Sequence, residues 1–129
     1  MKIEGSALLV RIYLGEADHW HGRPLYQAIV EVLRARGMAG TTVLRGIEGF
    51  GAKAHLHTAR ILRLSEDLPI LIEVVDREDR IRAILPELDA MVADGLITLE
   101  KIEVVAYRGT GPDADATTNR ATDAVPDKR

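Results

Sequence analysis

Apolar spacing in this chain switches from two to 3.6 and back, twice, between Ala7 and Tyr107. Leu8, Val10, Ile12 and Leu14 fall on one face of an extended segment from Ala7 to Leu14, with Arg11 and Tyr13 on the other. Strict alternation of this kind marks a strand with one face in a core. Gly15 to Gly22 reads as a polar loop. Pro24 then suits a first helical position, and Leu25, Ala28, Ile29, Val32 and Leu33 follow at helical spacing up to a stop at Gly37.

The cycle repeats further along. Thr41 to Arg45 reads as a second strand, Ile61 to Leu64 as a short one, and Ser65-Glu66-Asp67 as a turn. Leu68 to Val75 is dense in β-branched residues and predicts another strand. Asp76 is expected to cap a second helix, with Glu78 and Asp79 in its first turn, where the helix dipole favours acids. Ile81, Ile84, Leu85, Leu88, Met91 and Val92 make that helix's inner stripe, and Pro86 is expected to kink or split it. Asp94-Gly95 ends it, and Leu96 to Tyr107 is the last strand region, with an expected break near Glu100-Lys101.

The order β-α-β-(loop, short β)-β-α-β predicts an α+β, ferredoxin-like βαββαβ sandwich, two helices on one face of an antiparallel sheet. Aromatic residues are 4% of the chain, so the core must be built from Leu, Ile, Val and Ala. Ile70, Ile72 and Val74 alternate with Leu71, Glu73 and Val75, so the second face of the sheet is also aliphatic. A face of that kind is expected to be covered by other subunits.

Composition changes after Arg108. Residues 109–129 are rich in Asp, Thr, Ala, Gly and Pro, and Val125 is the one large aliphatic among them. Such a segment cannot offset the entropy of ordering, so the expected domain is 1–108 and 109–129 a disordered C-terminal tail. A net charge of −3 carries no global positive field for nucleic acid. The absence of cysteine excludes disulfides, thiolate metal sites and a cysteine nucleophile, and fits a cytoplasmic location. Glu4, Gly5 and Arg11 interrupt the N-terminal segment, so no signal peptide is expected, and the longest apolar run, Leu68 to Ile72, is too short to insert in a bilayer.

The strand ending at Arg45 runs into three glycines within six positions, Gly46, Gly49 and Gly51, with Arg45 before them and Lys53 after. Glycines let another group approach the backbone, and an arginine fork matches phosphate, so the pattern is one that can hold an anion. The competing reading is an ordinary tight turn. Phe50 lies between Gly49 and Gly51 as a candidate movable anchor for a partner, whereas Trp20 better fits a residue that pins its own loop.

Several words of the sequence, in order, carry a family likeness. His21-Gly22-Arg23-Pro24-Leu25-Tyr26, Thr42-Val43-Leu44-Arg45-Gly46-Ile47-Glu48-Gly49-Phe50-Gly51, Leu64-Ser65-Glu66-Asp67-Leu68-Pro69 and Gly95-Leu96-Ile97-Thr98-Leu99-Glu100 resemble the PII-like proteins of the domain-of-unknown-function-190 family. The resemblance implies a compact homotrimer, related to PII signalling proteins that bind adenine nucleotides between subunits and touch membrane transporters or enzymes through a long loop. It also hints at an ion channel or transporter as partner. Here the corresponding loop, about Gly46 to Arg60, has no tyrosine, and the helix-to-strand junction Asp94-Gly95-Leu96 has no lysine before Lys101.

Three function classes follow. The first is a sensor of a small anionic ligand, with an adenine nucleotide as the implied one and no other cofactor. Arg45, Gly46, Gly49, Gly51, Gly95 and Arg108 are its candidate ligand residues, and Phe50 and Lys53 its candidate partner residues. The second is metal binding: the four histidines form two pairs, His19/His21 and His55/His57, and alternate residues of an extended segment point the same way. Glu48 or Asp18 would complete such a site. The third is catalysis, for which the chain offers little. Ser6 and Ser65 have no histidine near them in sequence, and there is no nucleophile elbow, phosphate-binding Gly-Lys-Ser/Thr word or zinc-protease word. The expectation is a non-enzymatic sensor. The charge-rich run Arg77 to Arg82 reads as a solvated helix face.

Overall fold

The computed structural model describes residues 5–51 and 67–109. The expected short strand Ile61–Leu64 and residues 110–129 of the expected tail lie outside these residues. Among the described residues the elements follow in the order β1 (Gly5–Gly15), β2 (His19–Trp20), β3 (Arg23–Pro24), α1 (Leu25–Ala35), β4 (Gly40–Arg45), β5 (Pro69–Asp76), α2 (Glu78–Met91) and β6 (Leu96–Val104). The main sheet is fully antiparallel with strand order β4-β5-β1-β6. This is the ferredoxin-like arrangement.

The helix-facing side of the sheet makes the core. Leu8, Val10, Ile12 and Leu14 of β1 and Ile70, Ile72 and Val74 of β5 pack with Leu25, Ala28, Ile29 and Leu33 of α1 and Ile81, Ile84, Leu88 and Met91 of α2. Strand period and helix period thus converge on one aliphatic layer.

Local chemistry sets the element ends, in places differently from expectation. Gly37 adopts φ +72° and closes α1: its N–H donates to Arg34 O, and that of Met38 to Leu33 O. These two bonds form a Schellman C-terminus. Pro24 stands at the N-cap of α1, one position before the first helical turn.

Asp76 is not the N-cap of α2. That position belongs to Arg77, and no side chain caps it. Asp76 ends β5 and is fully buried. Its carboxylate accepts the backbone N–H of Arg77 (2.7 Å) and of Ala39 (2.9 Å) and the Nε–H of Arg80 (3.1 Å). A buried carboxylate is tolerable only with such partners. Arg80 is therefore turned into the protein, whereas Arg77 and Arg82 pair with Asp79 and Glu78 on an exposed face.

Pro86 does not split α2, which runs unbroken from Glu78 to Met91. Buried Ile81 and Ile84 on one side of the proline and Leu88 and Met91 on the other hold a single helix despite one lost hydrogen bond. Nor is β6 broken near Glu100-Lys101. Its pairing with β1 keeps one register from Gly5↔Val104 to Tyr13↔Leu96.

The region read as a polar loop, Gly15 to Gly22, holds the first strand and the turn of a small hairpin, β2 with β3, turning at His21-Gly22. Both turn residues have positive φ, 49° and 80°, as a type I′ turn requires.

Among the described residues no helix covers the other face of the sheet. Register aligns Leu44, Leu71, Tyr13 and Leu96 in one row across all four strands. Leu44 is 49% exposed, Tyr13 39% and Leu96 54%. In the neighbouring row Arg11 bridges Glu73 (3.1 Å), and it reaches Glu100 (3.0 Å) further along β6. These carboxylates, the Glu73 hydrogen bond first, hold the Arg11 guanidinium above its usual pKa.

Candidate functional site

One end of the main sheet collects most of the candidate ligand residues. There β1 ends at Gly15, β4 ends at Arg45, β5 begins at Pro69 and β6 begins at Leu96. Arg45 and Gly46 lie on the β4 edge, and Gly95 lies on the opposite, β6 edge, with β5 and β1 between them.

The glycines here are demanded by close approach. A Cβ on Gly46 would lie 2.7 Å from Cγ of Pro69, and one on Gly49 (φ +159°) would lie 3.2 Å from the same atom. The Gly46 N–H donates to Pro69 O (2.7 Å). Gly46 and Gly49 therefore lie against Pro69, which fixes how the chain leaves β4. A Cβ on Gly95 would lie 2.5 Å from Tyr13 O and 2.9 Å from Cγ1 of Val92. Gly51, by contrast, meets nothing within 4 Å.

The charge at this end is mixed. Arg45 donates through Nη2 to Glu16 Oε2 (2.5 Å). Beside Gly95 is an open depression of about 210 Å³ whose lining includes Asp18, His19 and Asp94. Among the described residues the lining of this depression carries these two carboxylates, which repel phosphate, and no arginine or lysine.

Arg108 does not join the others. It follows Val104, which pairs with Gly5 at the far end of β1. The hydroxyl of neighbouring Tyr107 donates to Ala39 O (2.8 Å), beside the start of β4 and the opposite end of that strand from Arg45. Strand direction, invisible in a list of basic residues, separates the two arginines.

Ile47 and Phe50 project from the chain after β4, 92% and 88% exposed. Lys53 lies outside the described residues. Trp20 is half-buried and packs against the core, as expected of a pinning residue.

The first histidine pair does not present two rings side by side. His21 sits in the hairpin turn and stacks on Trp20, with ring centroids 4.2 Å apart. His19 directs Nδ1 at Ala17 O (2.7 Å). A carbonyl only accepts, so that nitrogen carries the hydrogen. Among the described residues no group of three or more His, Cys, Asp or Glu is placed to hold a metal ion. His55 and His57 lie outside the described residues.

The profile of the DUF190 family, described as Uncharacterized ACR, matches residues 7–104. The chain belongs to the DUF190 family. Its DUF190 relatives include a UPF0166 protein of Aquifex aeolicus, 35% identical over 97 residues, covering 75% of this chain and 91% of the relative. A UPF0166 protein of Methanocaldococcus jannaschii is 38% identical over 105 residues, covering 81% of this chain and 94% of that protein. In fold, this DUF190 chain is similar to CPII from Thiomonas intermedia K12, solved with ADP, AMP and acetate. The TM-score is 0.54 at 18% identity, covering 78% of this chain and 89% of CPII. The likeness shows that this chain shares the fold of CPII. Among the described residues no helix is long and apolar enough to cross a membrane.

Proposed function

We propose that this DUF190 protein is a cytoplasmic PII-like sensor that works without catalysing a reaction. Three copies assemble through the exposed sheet face, an adenine nucleotide binds in the cleft between copies, and the segment after β4 regulates a partner, a membrane transporter or channel being the class the family resemblance implies. The observation that carries this reading is the placement of Arg45-Gly46 and Gly95 at the same end but opposite edges of one sheet. When copies close edge to edge, the Arg45 edge of one faces the Gly95 edge of the next. The guanidinium then supplies the positive charge that the acidic Gly95 junction lacks, and Gly95 allows the close backbone approach a phosphate needs. The similar fold of CPII, solved with ADP and AMP, supports an adenine nucleotide as the ligand.

Exposed Ile47 and Phe50 give the segment after β4 an apolar surface for a partner. Ligand binding next to Arg45 changes the population of conformers at that segment and so its partner affinity. Gly51 and Lys53 lie within it, and Arg108, at the other end of the sheet, has no part in the phosphate site of this reading.

Isothermal titration of the assembled protein with ATP, ADP, AMP and cyclic dinucleotides is the test. Saturable heat with an adenine nucleotide, reduced in Arg45→Ala, is the expected result. No heat and no thermal shift with any of them overturns the nucleotide reading. Phe50→Ala is expected to weaken partner capture and leave nucleotide affinity unchanged.

A further inference from the structure

One short turn holds both described ends of the connection between β4 and β5. The turn is Gly15–Asp18, closed on itself by Gly15 N–H to Asp18 Oδ2 (3.0 Å) and Asp18 N–H to Gly15 O (3.1 Å). On the β5 side it makes two backbone contacts. Glu16 N–H donates to Leu68 O (2.8 Å), and Ala17 N–H donates to the Asp67 carboxylate (3.0 Å). On the β4 side it makes one contact through a side chain, the Glu16 carboxylate to the Arg45 guanidinium. The Glu16 side chain is 22% exposed and that of Arg45 59%.

We infer that Glu16 is an internal competitor for the anion site and that its ion pair with Arg45 is the latch an incoming phosphate opens; this rests on the proposed role of Arg45 in nucleotide binding. Glu16 stands where a phosphate oxygen would stand in the complex, since both offer oxygen acceptors to the same guanidinium fork. The two anions cannot share the fork without repulsion, so binding expels Glu16. The backbone bonds of Glu16 and Ala17 to Leu68 and Asp67 do not involve Arg45 and persist. Binding therefore removes the turn's one contact to the β4 side and loosens the residues that follow Gly46, while Gly46 itself keeps its bond to Pro69 O. The exchange of one anion for another also sets a threshold: ligand affinity is lowered by the strength of the pair it displaces, which keeps the site from filling with weak anions.

The test uses the full-length protein and the variants Glu16→Ala, Glu16→Gln, Arg45→Ala and the Glu16→Ala/Arg45→Ala pair. Each is first shown to fold by its thermal transition, and the Gln variant serves where Ala disturbs the turn. Hydrogen exchange without ligand is expected to speed up at residues 46–51 in both single variants and no further in the double variant, because one interaction is lost once. Exchange equal to wild type in both singles overturns the latch, whatever the nucleotide result. Titration with ADP is expected to give about two- to fivefold tighter binding in Glu16→Ala, the change that matches removal of an exposed ion pair. Unchanged or weaker ADP binding in that variant, with wild type binding normally, overturns competition and leaves the nucleotide reading intact. A wild type that gives no heat with ATP, ADP, AMP or a cyclic dinucleotide overturns the nucleotide reading, and exchange at 46–51 still decides the latch.

Discussion

Asp76 and Arg80, one helical turn apart, form an ion pair in which the carboxylate is fully buried and the guanidinium is 27% exposed. The pair joins three parts of the chain. Asp76 also takes the N–H groups of Ala39 and Arg77, and Arg80 Nη2 donates to the carbonyl oxygens of Gly37 and Arg36. The end of α1, the approach to β4 and the start of α2 thus share one polar knot next to the core.

Replacing Asp76 with Ala leaves two backbone donors and a largely buried guanidinium without their acceptor. A loss of about 3 kcal/mol in unfolding free energy is expected, because breaking a buried pair costs more than the pair contributes net. Urea denaturation reads this directly. A change under about 1 kcal/mol, the scale of an exposed pair, would show that water enters and replaces the knot.

Gly95→Ala is expected to destabilise by about 1–3 kcal/mol, the usual cost of overpacking. The added Cβ meets the Tyr13 carbonyl, which belongs to a central strand paired on both sides and cannot move aside. Thermal unfolding of the variant without any ligand tests this. A Tm equal to wild type would mean that the β6 edge yields.

Leu44→Lys/Leu96→Lys adds two charges to the apolar row without touching the helix-side core. Both side chains are about half exposed within one chain, so a folded monomer tolerates the change. If the face is covered by other copies, the wild type has a mass three times 14.2 kDa and the variant falls to one chain. Light scattering at micromolar concentration distinguishes these states. A wild-type monomer refutes the assembly.

Glu78 predicts an acid dependence. The Arg82 Nε–H donates to its carboxylate (2.8 Å), and this hydrogen bond first, then the charge of Arg82, holds the Glu78 carboxyl below its usual pKa of 4.5. The folded state binds this proton less readily than the unfolded state. The stabilisation is therefore complete above the usual carboxylate range and is lost as pH falls through the depressed folded value. Comparing Tm of wild type and Glu78→Gln, the wild type should lead at pH 7 and lose its lead in strong acid. High salt should also shrink the gap, since the pair is exposed. A gap independent of pH would assign the effect of the substitution to something other than charge.

The elements of the fold could be read from the residues because each depends on local spacing. Leu8 to Leu14 can satisfy a core only as a strand, and Leu25 to Leu33 only as a helix, whatever surrounds them. The family likeness was legible because its words stand in order along this chain, and two of their glycines, Gly46 and Gly95, sit where another atom comes too close for a side chain. What local spacing could not reveal was anything that depends on distant residues. Asp76 looks like a helix cap from its neighbours, but Ala39 and Arg80 make it a buried acceptor. Pro86 looks like a helix end, yet apolar contacts on both sides of it outweigh one missing bond. The His21-Gly22 turn was hidden in a polar segment, because a two-residue strand has no period to detect. Strand direction set Arg108 apart from Arg45, and it brought Glu16 to Arg45 across 29 positions. Periodicity is a property of a few successive side chains, whereas a charge finds its partner through the whole path of the chain.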